Sequence, residues 1–221
     1  MKHDANWLGE RTLDLFFPPR CPYCGEVIRI GTRVCPRCAD IDPTPIQRWI
    51  PMQAAEPAPC IAAYPYRPPI RDAMHRFKFE GEPELAKFYG KILADVVRQT
   101  EWQFDVLTWV PMSRWRQMRR GYNQSMLLAK VAAQFLRRPA RPLLEKHRLN
   151  RRQHRLTVDA RWKNVADVFD ARPEADGHAI LLIDDIVTTG ATMQDCGRAL
   201  LQAGAKSICC AAVATPQPVD R

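Results

Sequence analysis

The chain has 221 residues, 46% of them hydrophobic, and a formal net charge of +9. That is enough for one full domain with its own core plus a small appendage, and the hydrophobic share is that of a globular protein. No apolar run approaches the roughly 20 residues that cross a bilayer, which excludes a helical membrane span.

The N-terminal stretch MKHDANWLGERTLDLFF sets Asp4, Glu10 and Asp14 among Trp7, Leu8, Leu13, Leu15 and Phe16. This predicts a short amphipathic helix over residues 1–20. The same acids make it a poor secretory signal, so a cytoplasmic location is expected.

Next come CPYC and CPRC, that is Cys21, Cys24, Cys35 and Cys38, with ten residues between the pairs. In a reducing compartment, paired CxxC knuckles read as a tetrahedral zinc site rather than as disulfides. Four thiolates leave no position open for water, so the expected Zn²⁺ is structural. Gly25 permits the tight turn after the first knuckle, and the intervening residues suit a short hairpin. The ribbon is placed at 21–42, too small for a core of its own, so chelation is expected to unfold the ribbon alone. Cys196 and Cys209 fall on apolar positions of a helix and a strand and read as small buried hydrophobes.

From Pro43 to Pro69 there are eight prolines in 27 residues. Such a stretch cannot be regular helix, and 43–69 reads as a proline-rich linker and hood with a first irregular strand.

Residues 70–217 then alternate. PIRDAMHRFKF, ELAKFYGKILADVVRQ and NQSMLLAKVAAQFL carry apolar residues at helical spacing. DVLTWVP, AILLID and SICCAAVA read as short buried strands, and ATMQDCGRALLQAG as a helix ending at Gly204. Apolar strands joined by helices predict an α/β fold, a parallel sheet flanked by helices. Ligands of such sheets bind at the carboxyl ends of the strands.

Asp184 and Asp185 stand at such an end, within LLIDDIVTTGATM. The turn that follows offers backbone N–H groups at a helix start near Ala191, with Gly190 allowing close approach and Thr188, Thr189 and Thr192 adding hydroxyls. Carboxylates accept from vicinal hydroxyls, and such a loop holds a phosphate. The ligand that fits both is a ribose 5-phosphate, with the two acids expected to face solvent, ligand and a ligand-borne Mg²⁺. No GxxxxGK[ST] and no strand-borne GxGxxG occurs, so neither a P-loop nor a dinucleotide site is indicated.

Charge is concentrated in the middle. Between Arg114 and Lys163 there are fifteen Lys or Arg against Glu145 and Asp159. That region faces an anion or is a solvated basic face.

Residues 181–193 resemble the phosphoribosyl-pyrophosphate (PRPP) signature of type I phosphoribosyltransferases. VPMSRWRQMRRGYNQSMLLA at 110–129, HRFKF ending at Lys78 and Phe79, the cysteine ribbon, and Gln153, Leu156, Arg161, Asn164, Val165 and Phe169 are similar to the pattern of the ComF family. Asn150 departs from it, standing where the family usually has Thr, and some members carry two cysteine ribbons.

The resemblance implies a type I phosphoribosyltransferase fold with a small N-terminal zinc ribbon of four cysteines. It implies that Asp184 and Asp185 bind the ribose hydroxyls and that Thr188, Thr189, Gly190, Ala191 and Thr192 cradle the 5′-phosphate. Met112, Ser113 and Arg114 would occupy the pyrophosphate loop, with Arg116, Arg119 and Arg120 adding to a pyrophosphate clamp. Asn123 reads equally as a cap of the following helix. Residues 146–165 resemble a basic loop that closes over PRPP, and equally a surface for nucleic-acid phosphates. The implied reaction moves a phosphoribosyl group from PRPP, with Mg²⁺, to an acceptor that the sequence does not identify. The alternative is a non-catalytic PRPP- or nucleotide-sensing protein that binds single-stranded DNA in DNA uptake, alongside other competence proteins.

Overall fold

The computed structural model describes residues 18–52, 55–146 and 168–217. Nearly all of the amphipathic helix expected over 1–20, and the basic segment 147–167 with His147, Arg148, Gln153, His154 and Arg161, lie outside the described residues.

Residues 43–69, expected as a proline-rich linker and hood with a first irregular strand, supply two strands of the main sheet. β1 (Ile46–Met52) and β2 (Ala55–Pro65) pair antiparallel. Proline tolerance explains how. Pro51 sits where the β1–β2 register shifts, between Ile50 and Met52. Pro57 and Pro59 precede Cys60, where the ladder with the next strand begins, so their missing N–H groups leave no gap in that ladder.

Helix α1 (Ile70–Phe79) buries Ile70, Ala73, Met74 and Phe77, and α2 (Leu85–Arg98) buries Leu85, Tyr89, Leu93 and Val97, each at helical spacing. After β3 (Val106–Trp109), a short helix α3 (Arg114–Arg120) buries nothing. It is followed by α4 (Gln124–Leu136), capped by Asn123, whose Oδ1 accepts from Met126 N at 3.2 Å. Helices α2 and α4 approach closely because Gly90 has no Cβ; one there would lie 2.6 Å from Val131 Cβ.

β4 (Leu144–Lys146) and β5 (Phe169–Ala171) form a separate antiparallel pair. The chain ends its fold with β6 (Ala179–Ile186), α5 (Ala191–Gln202) and β7 (Ser207–Thr215). The main sheet runs β1-β2-β7-β6-β3, antiparallel at the β1 edge and parallel elsewhere. Its central strands are apolar over Ala179 to Ile183 of β6 and Ile208 to Ala214 of β7 because both faces are covered. Leu181 and Ile183 pack with α1, α2 and α4, and Ile180 and Leu182 pack with α5. Among the described residues no helix is long and apolar enough to cross a membrane.

The ribbon is not a freestanding module. Cys21, Tyr23, Cys35 and Cys38 belong to the same core as α1 and α2. Tyr23 and Tyr64 hydroxyls are 2.8 Å apart, and Tyr89 Oη donates to Pro22 O. Arg76 of α1 donates to the carbonyls of Cys21, Pro22 and Tyr23 while its Nε pairs with Glu82 at 3.1 Å. Gly25 takes φ +78 and donates to Cys21 O, as the turn required. The expected hairpin between the knuckles does not form. These residues make turns and a single bridge, Val27 to Arg20, because placement of the cysteines rather than a strand ladder sets the path.

Candidate functional site

β6 carries its acids to the rim because its five leading residues, Ala179 to Ile183, bind it into the core and the sheet ends just beyond them. The sequence predicts both acids facing solvent and ligand; Asp185 is instead buried, while Asp184 is half-buried and lines an open depression. Asp185 is 8% exposed, and its Oδ2 lies 2.9 Å from Lys78 Nζ. Asp184 is half-buried, and its Oδ1 accepts from Ser125 Oγ and from Asp185 N, both at 2.8 Å. Two adjacent carboxylates at a crowded strand end need such partners, since water alone does not reach both. The compensation is incomplete. Burial, and then the Asp185 charge, push the Asp184 carboxyl up to about 7.

The following bend has the form expected. Ile186 N donates to Asp185 Oδ1, and Val187 N continues the ladder to Ala214 O. Gly190 stands at φ +85 and opens α5 at Ala191. Ala191 N donates to Thr189 Oγ1 at 3.3 Å, while the N–H groups of Thr188, Thr189 and Gly190 find no acceptor among the described residues. A depression lined by Asp184, Thr188, Thr189, Gly190, Ala191 and Thr192 joins the bend to the first acid. Such a bend can hold an anion, and Asp184 beside it can accept from hydroxyls.

The turn after β3 is anchored twice, by Val110 N to Ile183 O and by Asn123 Nδ2 to Val110 O. Ser113 and Arg114 line a cleft of about 580 Å³ together with Gln117, Asn123 and Lys146. Burial first, and then the neighbouring Arg116 guanidinium, hold the Lys146 ammonium below its ordinary value. Glu145 is engaged by Arg172. Arg120 is not brought to Ser113 and Arg114. Its guanidinium stacks 5.0 Å from the Phe79 ring centroid and donates to Gln124 Oε1. It lines a second cleft, of about 790 Å³, with Lys78, Phe79, Trp115, Arg116 and Arg119. The arginines of α3 thus divide between two clefts instead of converging as one clamp.

Sequence reasoning passed over Ser125 and Arg48. Arg48 of β1 donates through Nη1 to Thr188 O at 2.6 Å and to Thr215 Oγ1 at 2.5 Å. Ser125 gave no signal beyond lying in a helix. Arg48 gave a faint one, as the polar member of the alternating Ile46, Arg48, Ile50.

In the ribbon, the four cysteine Sγ atoms lie within 4.8 Å of one another, with Cys24 and Cys35 at 3.5 Å. Four sulfurs ~2.3 Å from one ion stand roughly 3.8 Å apart, so this donor set fits a tetrahedral Zn²⁺.

A curated relative, Competence protein ComFC of Bacillus subtilis, is 30% identical over 192 residues, covering 83% of this chain and 72% of that protein. The chain belongs to the ComF family. A second relative, DNA utilization protein YhgH of Escherichia coli O6:H1, is 28% identical over 214 residues, covering 91% of this chain and 92% of its own. The phosphoribosyl transferase domain model matches residues 127–218, which span α4 to β7, and the double zinc ribbon domain model matches 12–57. This ComF chain has one such four-cysteine cluster among its described residues; Cys60, Cys196, Cys209 and Cys210 are buried in the main core. Among solved structures, the allosteric regulatory enzyme of purine biosynthesis is similar at TM-score 0.47 and 18% identity over 63% of this chain, which spans 30% of that one. Family membership, the two domain models and the sheet order together give the fold as a phosphoribosyltransferase-type α/β sheet bearing an N-terminal zinc ribbon.

Proposed function

We propose that this ComF protein binds PRPP at the rim of β6 and transfers its phosphoribosyl group to an acceptor in DNA uptake or utilisation. The observation that carries the reading is the adjoining of Asp184 to a bend whose Thr188, Thr189 and Gly190 N–H groups are unengaged among the described residues. Asp184 and Asp185 accept from the ribose hydroxyls, and the Thr188–Thr192 bend takes the 5′-phosphate. Ser113, Arg114 and Lys146 line the cleft offered to the pyrophosphate. The names of the relatives, competence and DNA utilization proteins, support the biological setting.

In the transfer, the bond from C1′ to the pyrophosphate oxygen breaks with its electron pair on the leaving group. A bond from the acceptor to an oxocarbenium-like C1′ forms, and the acceptor loses a proton. Asp184 Oδ2, which no described residue engages, suits a ligand-borne Mg²⁺ as it suits a hydroxyl. Mg²⁺ would disperse charge on the departing pyrophosphate. The four ribbon cysteines hold a structural Zn²⁺ in this reading. Calorimetry with PRPP and Mg²⁺ tests it. The wild type binds, and the variant with both Asp184→Asn and Asp185→Asn stays folded and does not. Equal binding by that variant would remove the proposal.

A second reading has its own observation. Phe79 and Trp115 are 64% and 66% exposed, and Arg120 and Arg119 lie over their rings. Exposed aromatic faces with arginines are the elements of a single-stranded nucleic-acid platform. Under this reading the log of the affinity for single-stranded DNA falls with log salt at a slope of about −0.7 per phosphate contacted. A Phe79→Ala, Trp115→Ala variant that binds DNA as the wild type does would remove it.

A further inference from the structure

We infer that Arg48 is a positioning residue for the phosphate-binding bend, setting which way the Thr188–Thr189 peptide faces. The inference rests on the PRPP reading above. In a trans peptide the C=O and the next N–H point to opposite sides, and the only cis bond among the described residues is Pro68–Pro69. Arg48 Nη1 holds Thr188 O at 2.6 Å, so the Thr189 N–H is turned away from Arg48. The depression lined by Asp184 and Thr188 to Thr192 includes no residue of β1, which places Arg48 behind the bend and the depression on the other side. The same guanidinium is itself fixed by Thr215 Oγ1, at the end of β7, where Thr215 is fully buried. Two residues along β1, on the same face, Ile50 abuts the bend: a Cβ on Gly190 would lie 2.8 Å from Ile50 Cδ1.

One face of an edge strand thus forms the back wall of the bend. Without Arg48 the Thr188 carbonyl is free to rotate toward the depression, and a carbonyl oxygen facing a phosphate repels what an N–H attracts. The effect is orientation of a dipole, so it requires a donor nitrogen held at the Thr188 carbonyl, as Nη1 is, and not merely a positive charge nearby.

The test uses the full chain and two probes, PRPP with Mg²⁺ and inorganic phosphate, with calorimetry and the ¹⁵N–¹H resonance of Thr189 as readouts. In the wild type, phosphate moves the Thr189 amide proton downfield. In Arg48→Met, which keeps the aliphatic stem, affinity for both probes falls about tenfold or more and the Thr189 shift is lost. Millimolar methylguanidinium restores part of both. Arg48→Lys restores neither fully, and Thr215→Val, which leaves the Thr188 contact, stays close to wild type. Unchanged affinity and shift in Arg48→Met overturn the inference, as does full recovery with Arg48→Lys, which would make the role one of charge. If the wild type binds phosphate in an Arg48-dependent way but not PRPP, the PRPP reading falls and the positioning role stands. If it binds neither, both fall.

Discussion

Lys78 of α1 and Asp185 of β6 form an ion pair at 2.9 Å whose side chains retain only 22% and 11% of their exposure. It is the counter-charge that two neighbouring aspartates require at the end of a buried strand. It also ties the last turn of α1 to the rim of the sheet, where Tyr122 Oη and Gln124 Nε2 donate to Phe77 O. Helix α1, the start of α4 and the end of β6 therefore share one junction.

Lys78→Met leaves Asp185 buried without its partner. We expect a loss of about 3 kcal/mol in urea-unfolding stability, the low end for breaking a buried pair because water still reaches the lysine. Adding Asp185→Asn should recover part of it, with a coupling of at least ~1 kcal/mol in the double-mutant cycle. Additive losses would mean the pair contributes nothing beyond its separate members.

The acidic pair also sets a pH dependence. Folding raises the Asp184 carboxyl from its ordinary 3.8 to about 7, through burial first and the Asp185 charge second. The native state thus binds the proton more tightly than the unfolded one. The associated stability is fully present below the ordinary carboxylate range and is lost as pH rises toward about 7. The melting temperature of the ligand-free protein should fall over that window relative to Asp184→Asn, which lacks the titration. PRPP affinity should run the other way, rising as Asp184 ionises. Parallel pH profiles for the wild type and Asp184→Asn would contradict both.

At Gly190 the backbone sits at φ +85, and Ile50 Cδ1 occupies the space of an added Cβ. Gly190→Ala should lose about 1 kcal/mol or more to the left-handed backbone, plus the contact. Because Cδ1 is the end of a flexible chain, Ile50→Val should relieve only the contact. Calorimetric unfolding of the single and double variants separates the two. Full relief by Ile50→Val would show the backbone to be unstrained.

Zinc removal should reach beyond the ribbon, contrary to the sequence-based expectation of local unfolding. Cys21, Tyr23, Cys35 and Cys38 lie in the core of α1 and α2, and Arg76 grips three ribbon carbonyls. Chelation should therefore lower the main melting transition, and Arg76→Met should reduce the size of that drop while zinc content stays at one per chain. A separate ribbon transition with the main one unmoved would refute the coupling.

The strands β3, β6 and β7, the helices around them, the four thiol ligands and the acidic pair were all legible in the sequence, because each is a local pattern: an apolar run, a helical period, a knuckle spacing, two charges before a Thr-Gly turn. Of β1 and β2 only a first irregular strand was legible, because their prolines obscure the pattern. What admits a proline is whether a neighbouring strand needs its N–H, and that depends on where the β7 ladder starts at Cys60. The compensation of the acids was hidden likewise, since Lys78, Ser125 and Asp185 are far apart in the chain. Sequence alone determined which residue types stand at the rim, for side-chain chemistry is written position by position. Only tertiary structure decided that Lys78 faces Asp185, that Ser125 faces Asp184, that Arg120 turns from Arg114 and that Arg48 stands behind the bend, because packing of separate elements sets the distances on which charge pairing and hydrogen bonding depend.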